Sequence, residues 1–238
     1  MSDFEGKHSK LSNNKFFAIV FRGFALLFGA WGVLAVTGVF KDAFNPVILL
    51  AYTIQSNILV VIFFGILLVK TLIKNKNGEK APVSPEKPFG FFPRLSMVVA
   101  FAIFVTMLIY WFVLAPLSVQ GSGVRQLLAL ENLAVHLITP LLMLVDYILF
   151  TKRGMLKKYD MLLCTVIPYT YLLEALTLGL TRTVRYDSIG NNSYYPYIFL
   201  DIDRFGARVI LFVAAMSLFF LVIAFCWQRF DRRQSRQQ

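Results

Sequence analysis

The stretch PVILLAYTIQSNILVVIFFGILLVKTLI, residues Pro46–Ile73, contains one charged residue, Lys70, in 28 positions. It has no alternation with a period of two. A continuous apolar run of this length reads as a helix that crosses a hydrocarbon core of about 30 Å, which takes roughly 20 helical residues. Its first half nevertheless carries Thr53, Gln55, Ser56 and Asn57. A polar cluster inside such a helix marks either a helix-helix contact or a functional layer.

Five further stretches have the same character: Phe16–Phe40, Pro93–Leu117, Leu127–Phe150, Tyr159–Thr181 and Phe205–Trp227. Hydrophobic residues make up 58% of the chain and charged residues 16%, with a mean hydropathy of +0.66. A water-soluble domain could not bury that much apolar side chain. A membrane barrel would show alternating segments of about 10 residues. The expected architecture is therefore an all-α integral membrane protein with six transmembrane helices in residues 16–227, a polar N-terminal tail at 1–15 and a basic C-terminal tail at 228–238. The first span is longer than a signal-peptide core and is expected to be retained.

The net charge of +11 is read through its placement. With the N-terminus inside, 17 of the 24 basic residues fall on the inner side, including Lys7, Lys10, Lys15, Lys70, Lys74, Lys80, Lys87, Arg94, Lys152, Arg153, Arg229 and Arg232. The positive-inside rule then places both termini in the cytoplasm of a multi-pass cell-membrane protein. The basic loops serve this topology or attract anionic headgroups. No motif supports nucleic-acid binding. Residues 74–87, rich in Asn, Gly and Pro, read as an inner loop without chemistry. Cys164 and Cys226 lie in separate spans toward the inner leaflet, so no disulfide is expected, and neither a metal nor a cofactor is indicated.

This topology brings three polar residues to one depth. Thr53 lies about seven residues into the second span, on the order of 10 Å at about 1.5 Å per residue; His136 is about nine residues into the fourth; Glu174 is about seven from the outer end of the fifth. Thr53, Ser56, Asn57 and Val60 share one helix face, with Gln55 off it. Asn132, His136, Thr139 and Pro140 share another, and Pro140 cannot take the carbonyl of His136, which is left free for water or substrate. Thr170, Glu174, Thr177 and Thr181 make a third stripe expected to face inward. Arg22 and Asp146 sit near inner helix ends, where both are expected to reach the interface as structural residues.

A threonine hydroxyl attacks a carbonyl only when a base takes its proton, and neutral imidazole suits that role near neutral pH. Thr53 is thus the candidate nucleophile and His136 its base. Asn57, Ser56 and Asn132 are possible supporting or oxyanion groups, worth about 3 kcal/mol each when correctly aimed. Glu174 or Asp201 is a possible carboxylate partner for the histidine. The outer loop holds Arg182, Arg185, Asp187, Asn191 and Asn192, then Tyr194, Tyr195, Tyr197 and Phe199. It reads as a lipid gate or as an aromatic belt. Arg182, Arg185 and Arg204 are candidates for pairing with a substrate carboxylate.

Three patches carry a resemblance: Ala51-Tyr-Thr-Ile-Gln-Ser-Asn-Ile-Leu-Val-Val-Ile-Phe-Phe-Gly65, His136 with Thr139-Pro140, and Tyr195-Pro-Tyr-Ile-Phe-Leu-Asp201. They resemble the androgen-induced-protein and FAR-type six-pass membrane family, in particular its bacterial branch. Animal members of that family are intramembrane threonine hydrolases that cleave fatty acid esters of hydroxy fatty acids with one threonine and one histidine. The resemblance implies those roles for Thr53 and His136 and a lipid ester as substrate. The animal pattern has Asn-Gln where this chain has Ser56-Asn57, so no oxyanion partner is carried over. The alternative expectation is a non-enzymatic lipid or small-molecule binder or transporter whose polar stripes line a pathway.

Overall fold

The computed structural model describes residues 14–76, 91–116, 124–151, 157, 159–187 and 192–235. The N-terminal tail, Asn191 and most of the loop expected at 74–87 lie outside these residues. Six helices are long and apolar enough to span a membrane: α1 (Lys15–Val36), α2 (Tyr52–Lys76), α3 (Phe91–Leu114), α4 (Leu130–Phe150), α5 (Asp160–Leu180) and α6 (Arg208–Ser235). The chain is an all-α six-helix multi-pass membrane protein.

α3 is the central helix, with half of its apolar window buried against 17% for α6. Phe63, Phe64, Val99, Phe101, Ile103, Met143 and Tyr147 form the core around it. Large apolar residues such as Phe16, Leu27, Ile210, Leu211 and Leu218 remain exposed on the outer faces, as a surface in contact with acyl chains requires. α1 packs along α2 and α4, while α6 lies against the start of α5 and the Ile198–Leu200 turn. Gly32 of α1 permits a close approach, since a Cβ there would stand 2.9 Å from the Cβ of Ala134 on α4.

Several boundaries differ from the sequence reading. α1 ends at Val36 rather than Phe40. Pro46–Leu50 is a 3-10 turn opened by Asn45, whose side chain accepts from the Val47 N–H at 3.1 Å. α2 proper starts at Tyr52, after an extended Ala51, and the Leu50 carbonyl accepts from the Tyr171 hydroxyl at 3.1 Å. α6 continues to Ser235, so the segment from residue 228 extends the last helix rather than forming a separate tail. Near the start of α5, Arg94 Nε donates to Asp160 at 2.9 Å, and the Gln228 amide donates to the Lys157 carbonyl.

Arg22 and Asp146 do not reach the interface. Each is 2% exposed. Arg22 Nε and Nη2 donate to the two carboxylate oxygens at 2.7 and 3.3 Å, Nη1 donates to Thr71 Oγ1 at 2.8 Å, and the guanidinium lies 4.8 Å from the Phe150 ring centroid. Opposite charges on neighbouring spans satisfy one another more cheaply than either could alone in hydrocarbon. The pair ties α1, α2 and α4 together.

Candidate functional site

The start of α2 is buried in the bundle, and its first N–H groups have no partner within the helix. The residue before it, Ala51, has no side-chain acceptor, and its carbonyl already serves the N–H groups of Ile54 and Gln55. Two tyrosines stand beside this start. The Tyr171 ring lies 5.1 Å from the Tyr52 ring and 6.1 Å from the Tyr197 ring, and all three line one groove with Thr53. The Tyr171 hydroxyl donates to the Leu50 carbonyl at 3.1 Å. Burial pushes the Tyr197 phenol above its ordinary value of 10.0.

Thr53 lines a half-open apolar groove between α3, α5, α6 and the segment that precedes α6. Its walls include Thr106, Ile109, Leu172, Phe199, Val213, Met216 and Phe220. Tyr52, Thr53, Tyr171, Tyr197 and Ser217 add polar groups to this lining. An acyl chain fits walls of this kind.

His136 stands on a different wall of the bundle. Its ring stacks on Tyr110 with centroids 3.4 Å apart and planes 18° apart. Both rings sit on π-helical turns, Tyr110–Leu114 in α3 and Ala134–Ile138 in α4. Pro140 explains the second turn, since it lacks the N–H that an α-helix would direct to the His136 carbonyl. That carbonyl is not free for substrate: Trp111 Nε1 donates to it at 3.0 Å. Nδ1 of His136 lies 3.0 Å from the Asn132 carbonyl. A carbonyl only accepts, so Nδ1 carries the hydrogen and Nε2 keeps its lone pair in the neutral ring. The Asn132 carbonyl, rather than Glu174 or Asp201, fixes the tautomer.

Asn57 joins the two walls. Its Nδ2 donates to the Thr53 carbonyl at 2.7 Å and to the Val135 carbonyl at 2.9 Å, so those oxygens are no more than about 5.6 Å apart. Thr53 and the peptide before His136 therefore share one layer. Among the described residues no hydrogen bond links the two side chains directly.

The remaining sequence candidates have other partners. The amide nitrogens of Asn57 and Asn132 are both spent, the latter on the Tyr110 hydroxyl and the Leu127 carbonyl. Ser56 Oγ bonds the Thr53 carbonyl and Thr106 Oγ1. Glu174 accepts from Gln55 Nε2 at 2.8 Å, so Gln55, which lies off the Thr53 face, points at α5. The inward face of α5 is Pro168, Tyr171, Ala175 and Gly179; Thr170, Thr177 and Thr181 face outward, and Thr170 and Thr181 bond their own helix, which corrects the expected inward stripe. Asp201 caps the Ile202–Phe205 turn through the Arg204 N–H and accepts from Ser193 Oγ at 2.7 Å. Arg182 pairs with Asp203 and Arg185 with Asp187, while Arg204 lies over the Phe205 ring.

Tyr171 is the site residue that sequence reading did not pick out, and Tyr197 was read only as part of a lipid gate or aromatic belt. Their signal was indirect, in an α2 start with no capping side chain and an outer segment rich in tyrosine. Comparison with protein-family models, curated proteins and solved structures found no match.

Proposed function

We propose that this chain is an intramembrane hydrolase of lipid esters, with Thr53 as nucleophile and His136 as general base, working in the cell membrane from the outer leaflet. The observation that carries the reading is the placement of Thr53. Thr53 lines an apolar groove at a helix start whose N–H groups have no partner within the helix. The resemblance of the Thr53 and His136 patches to threonine hydrolases points the same way.

In this reading an ester enters the groove tail-first and its carbonyl meets Thr53. Thr53 Oγ1 bonds to the carbonyl carbon as its proton passes to His136 Nε2, directly or through one water. The developing oxyanion is held by the Tyr52 and Thr53 N–H groups, each such donor being worth about 3 kcal/mol. These replace Asn57 and Asn132, whose amides are committed elsewhere. The alkoxide leaves with the proton from His136, and water then releases the acid from acyl-Thr53. A carboxylate on the substrate pairs with Arg204, which has no carboxylate partner among the described residues, more readily than with Arg182 or Arg185, which have one.

The second reading is a non-enzymatic lipid binder. It is favoured by the placement of His136, which does not line the groove that Thr53 lines and whose Nδ1 is engaged by the Asn132 carbonyl. Purified protein assayed on a fluorogenic long-chain ester separates the two. An enzyme turns it over, loses turnover in Thr53→Ala and in His136→Ala, and retains part of it in Thr53→Ser. A binder takes up the ester with no product in any variant.

A further inference from the structure

We propose that Tyr110 is a positioning residue for His136, holding the imidazole by its face while the Asn132 carbonyl holds it by its edge. The inference rests on the reading of His136 as general base and adds to it a residue on a third helix.

The placement starts from two irregularities in helix winding. Tyr110 opens the π turn Tyr110–Leu114 of α3, and His136 is the middle residue of the π turn Ala134–Ile138 of α4. The two turns meet. The buried Tyr110 ring stacks on the imidazole with centroids 3.4 Å and planes 18° apart, and the next residue, Trp111, donates from Nε1 to the His136 carbonyl at 3.0 Å. The Tyr110 hydroxyl donates to Asn132 Oδ1 at 2.9 Å and accepts from Asn132 Nδ2 at 2.7 Å. The backbone carbonyl of the same Asn132 takes the Nδ1 hydrogen of His136 at 3.0 Å. Tyr110 therefore touches the imidazole with its ring and, with its hydroxyl, the residue that holds the imidazole hydrogen.

The torsion that turns an imidazole about its Cβ–Cγ bond has broad wells, so a single hydrogen bond at one edge leaves the ring free to tilt. A flat neighbour at stacking distance removes the tilt and so aims Nε2, the nitrogen that takes the threonine proton. The same face attracts a cation, which favours the imidazolium formed as that proton arrives. Both effects belong to the ring of Tyr110. Its hydroxyl adds less, because the Asn132 side chain is also tied to the Leu127 carbonyl at 2.9 Å and the Asn132 carbonyl is set by the helix backbone.

The test is covalent labelling of full-length protein in detergent with an alkyl fluorophosphonate, with the rate on Thr53 followed by mass spectrometry. Tyr110→Leu is expected to label on Thr53 about 10- to 100-fold more slowly than wild type. Tyr110→Phe, which keeps the stacked ring, is expected to stay close to wild type. In a His136→Ala background Tyr110→Leu is expected to change nothing further, since a residue that acts through the imidazole then has nothing to act on. A wild-type rate in Tyr110→Leu overturns the inference. So does a rate in Tyr110→Phe as low as in Tyr110→Leu, or the same fold-loss with and without the imidazole. If Tyr110→Leu does not fold, the wild-type protein still carries a check, because the chain has two histidines, His8 and His136. In a nuclear magnetic resonance spectrum of histidine-labelled protein, the face of Tyr110 moves the carbon-bound ring protons of one histidine upfield; both histidines at free-imidazole positions overturns the inference. Wild-type protein that does not label on Thr53, or His136→Ala that labels as fast as wild type, overturns the base reading beneath it.

Discussion

The Asn57 side-chain amide donates at 2.9 Å to the carbonyl of Val135, the residue before His136, while the same nitrogen donates at 2.7 Å to the Thr53 carbonyl. One buried amide thus sets the spacing between the helix that carries the hydroxyl and the helix that carries the imidazole.

Asn57→Ala removes both donations and leaves the Val135 carbonyl without a donor in a dry layer. The expected cost is about 1–3 kcal/mol. It should appear as a lower midpoint of thermal unfolding in detergent, together with loss of esterase activity. Asn57→Asp sets a carboxylate against two carbonyls and should be worse. A wild-type midpoint in both variants would show that the amide holds nothing.

Asp146→Ala leaves the Arg22 guanidinium buried with only the Thr71 hydroxyl. Breaking one partner of a buried ion pair costs about 3–5 kcal/mol, whereas replacing both by apolar residues of similar volume is often neutral. Arg22→Met combined with Asp146→Leu should therefore unfold at a higher temperature than Asp146→Ala alone. The opposite order would mean that the pair is not the link between α1 and α4.

Gly32→Val puts side-chain atoms where the Cβ of Ala134 already stands. Overpacking of this kind costs about 1–3 kcal/mol. Here it also pushes on the π turn that carries His136. The expected result is a loss of hydrolysis larger than the loss of folded protein, measured by activity per folded molecule after size exclusion.

High pH should loosen the outer segment. The Tyr186 phenol is pushed up to about 12 from its ordinary 10.0, first by burial and then by Glu174 and Tyr197. The folded state therefore holds this proton more tightly than the unfolded chain. Its contribution to stability is whole below pH 10 and is lost as pH rises from about 10 to 12. Unfolding followed across that window should show a steeper decline for wild type than for Tyr186→Phe, and equal slopes would remove Tyr186 from the explanation.

The six spans were legible because hydropathy is a local property, and the runs at Pro46–Ile73 and Phe205–Trp227 admit one reading. The layer shared by Thr53 and the peptide before His136 followed from counting residues inward from the outer ends. Partnerships across helices were not legible. Arg22 and Asp146 are 124 positions apart, and each alone looked free to reach the surface. At the break at Ala51 the Leu50 carbonyl is taken by the Tyr171 hydroxyl, 121 positions away. The freed carbonyl of His136 was foreseeable from Pro140, but its capture by Trp111 was not, because it depends on how α3 rotates against α4. Gln55 looked idle since its partner, Glu174, sits on a helix beside the Thr53 face rather than under it.

The most direct measurement is mass spectrometry of protein reacted with an activated long-chain ester and trapped at low pH. If Thr53 is the nucleophile, the acyl group is found on the peptide containing Thr53 in wild type, is absent in Thr53→Ala, and forms much more slowly in His136→Ala. An acyl group found on another residue, or equal acylation in all three proteins, would contradict it.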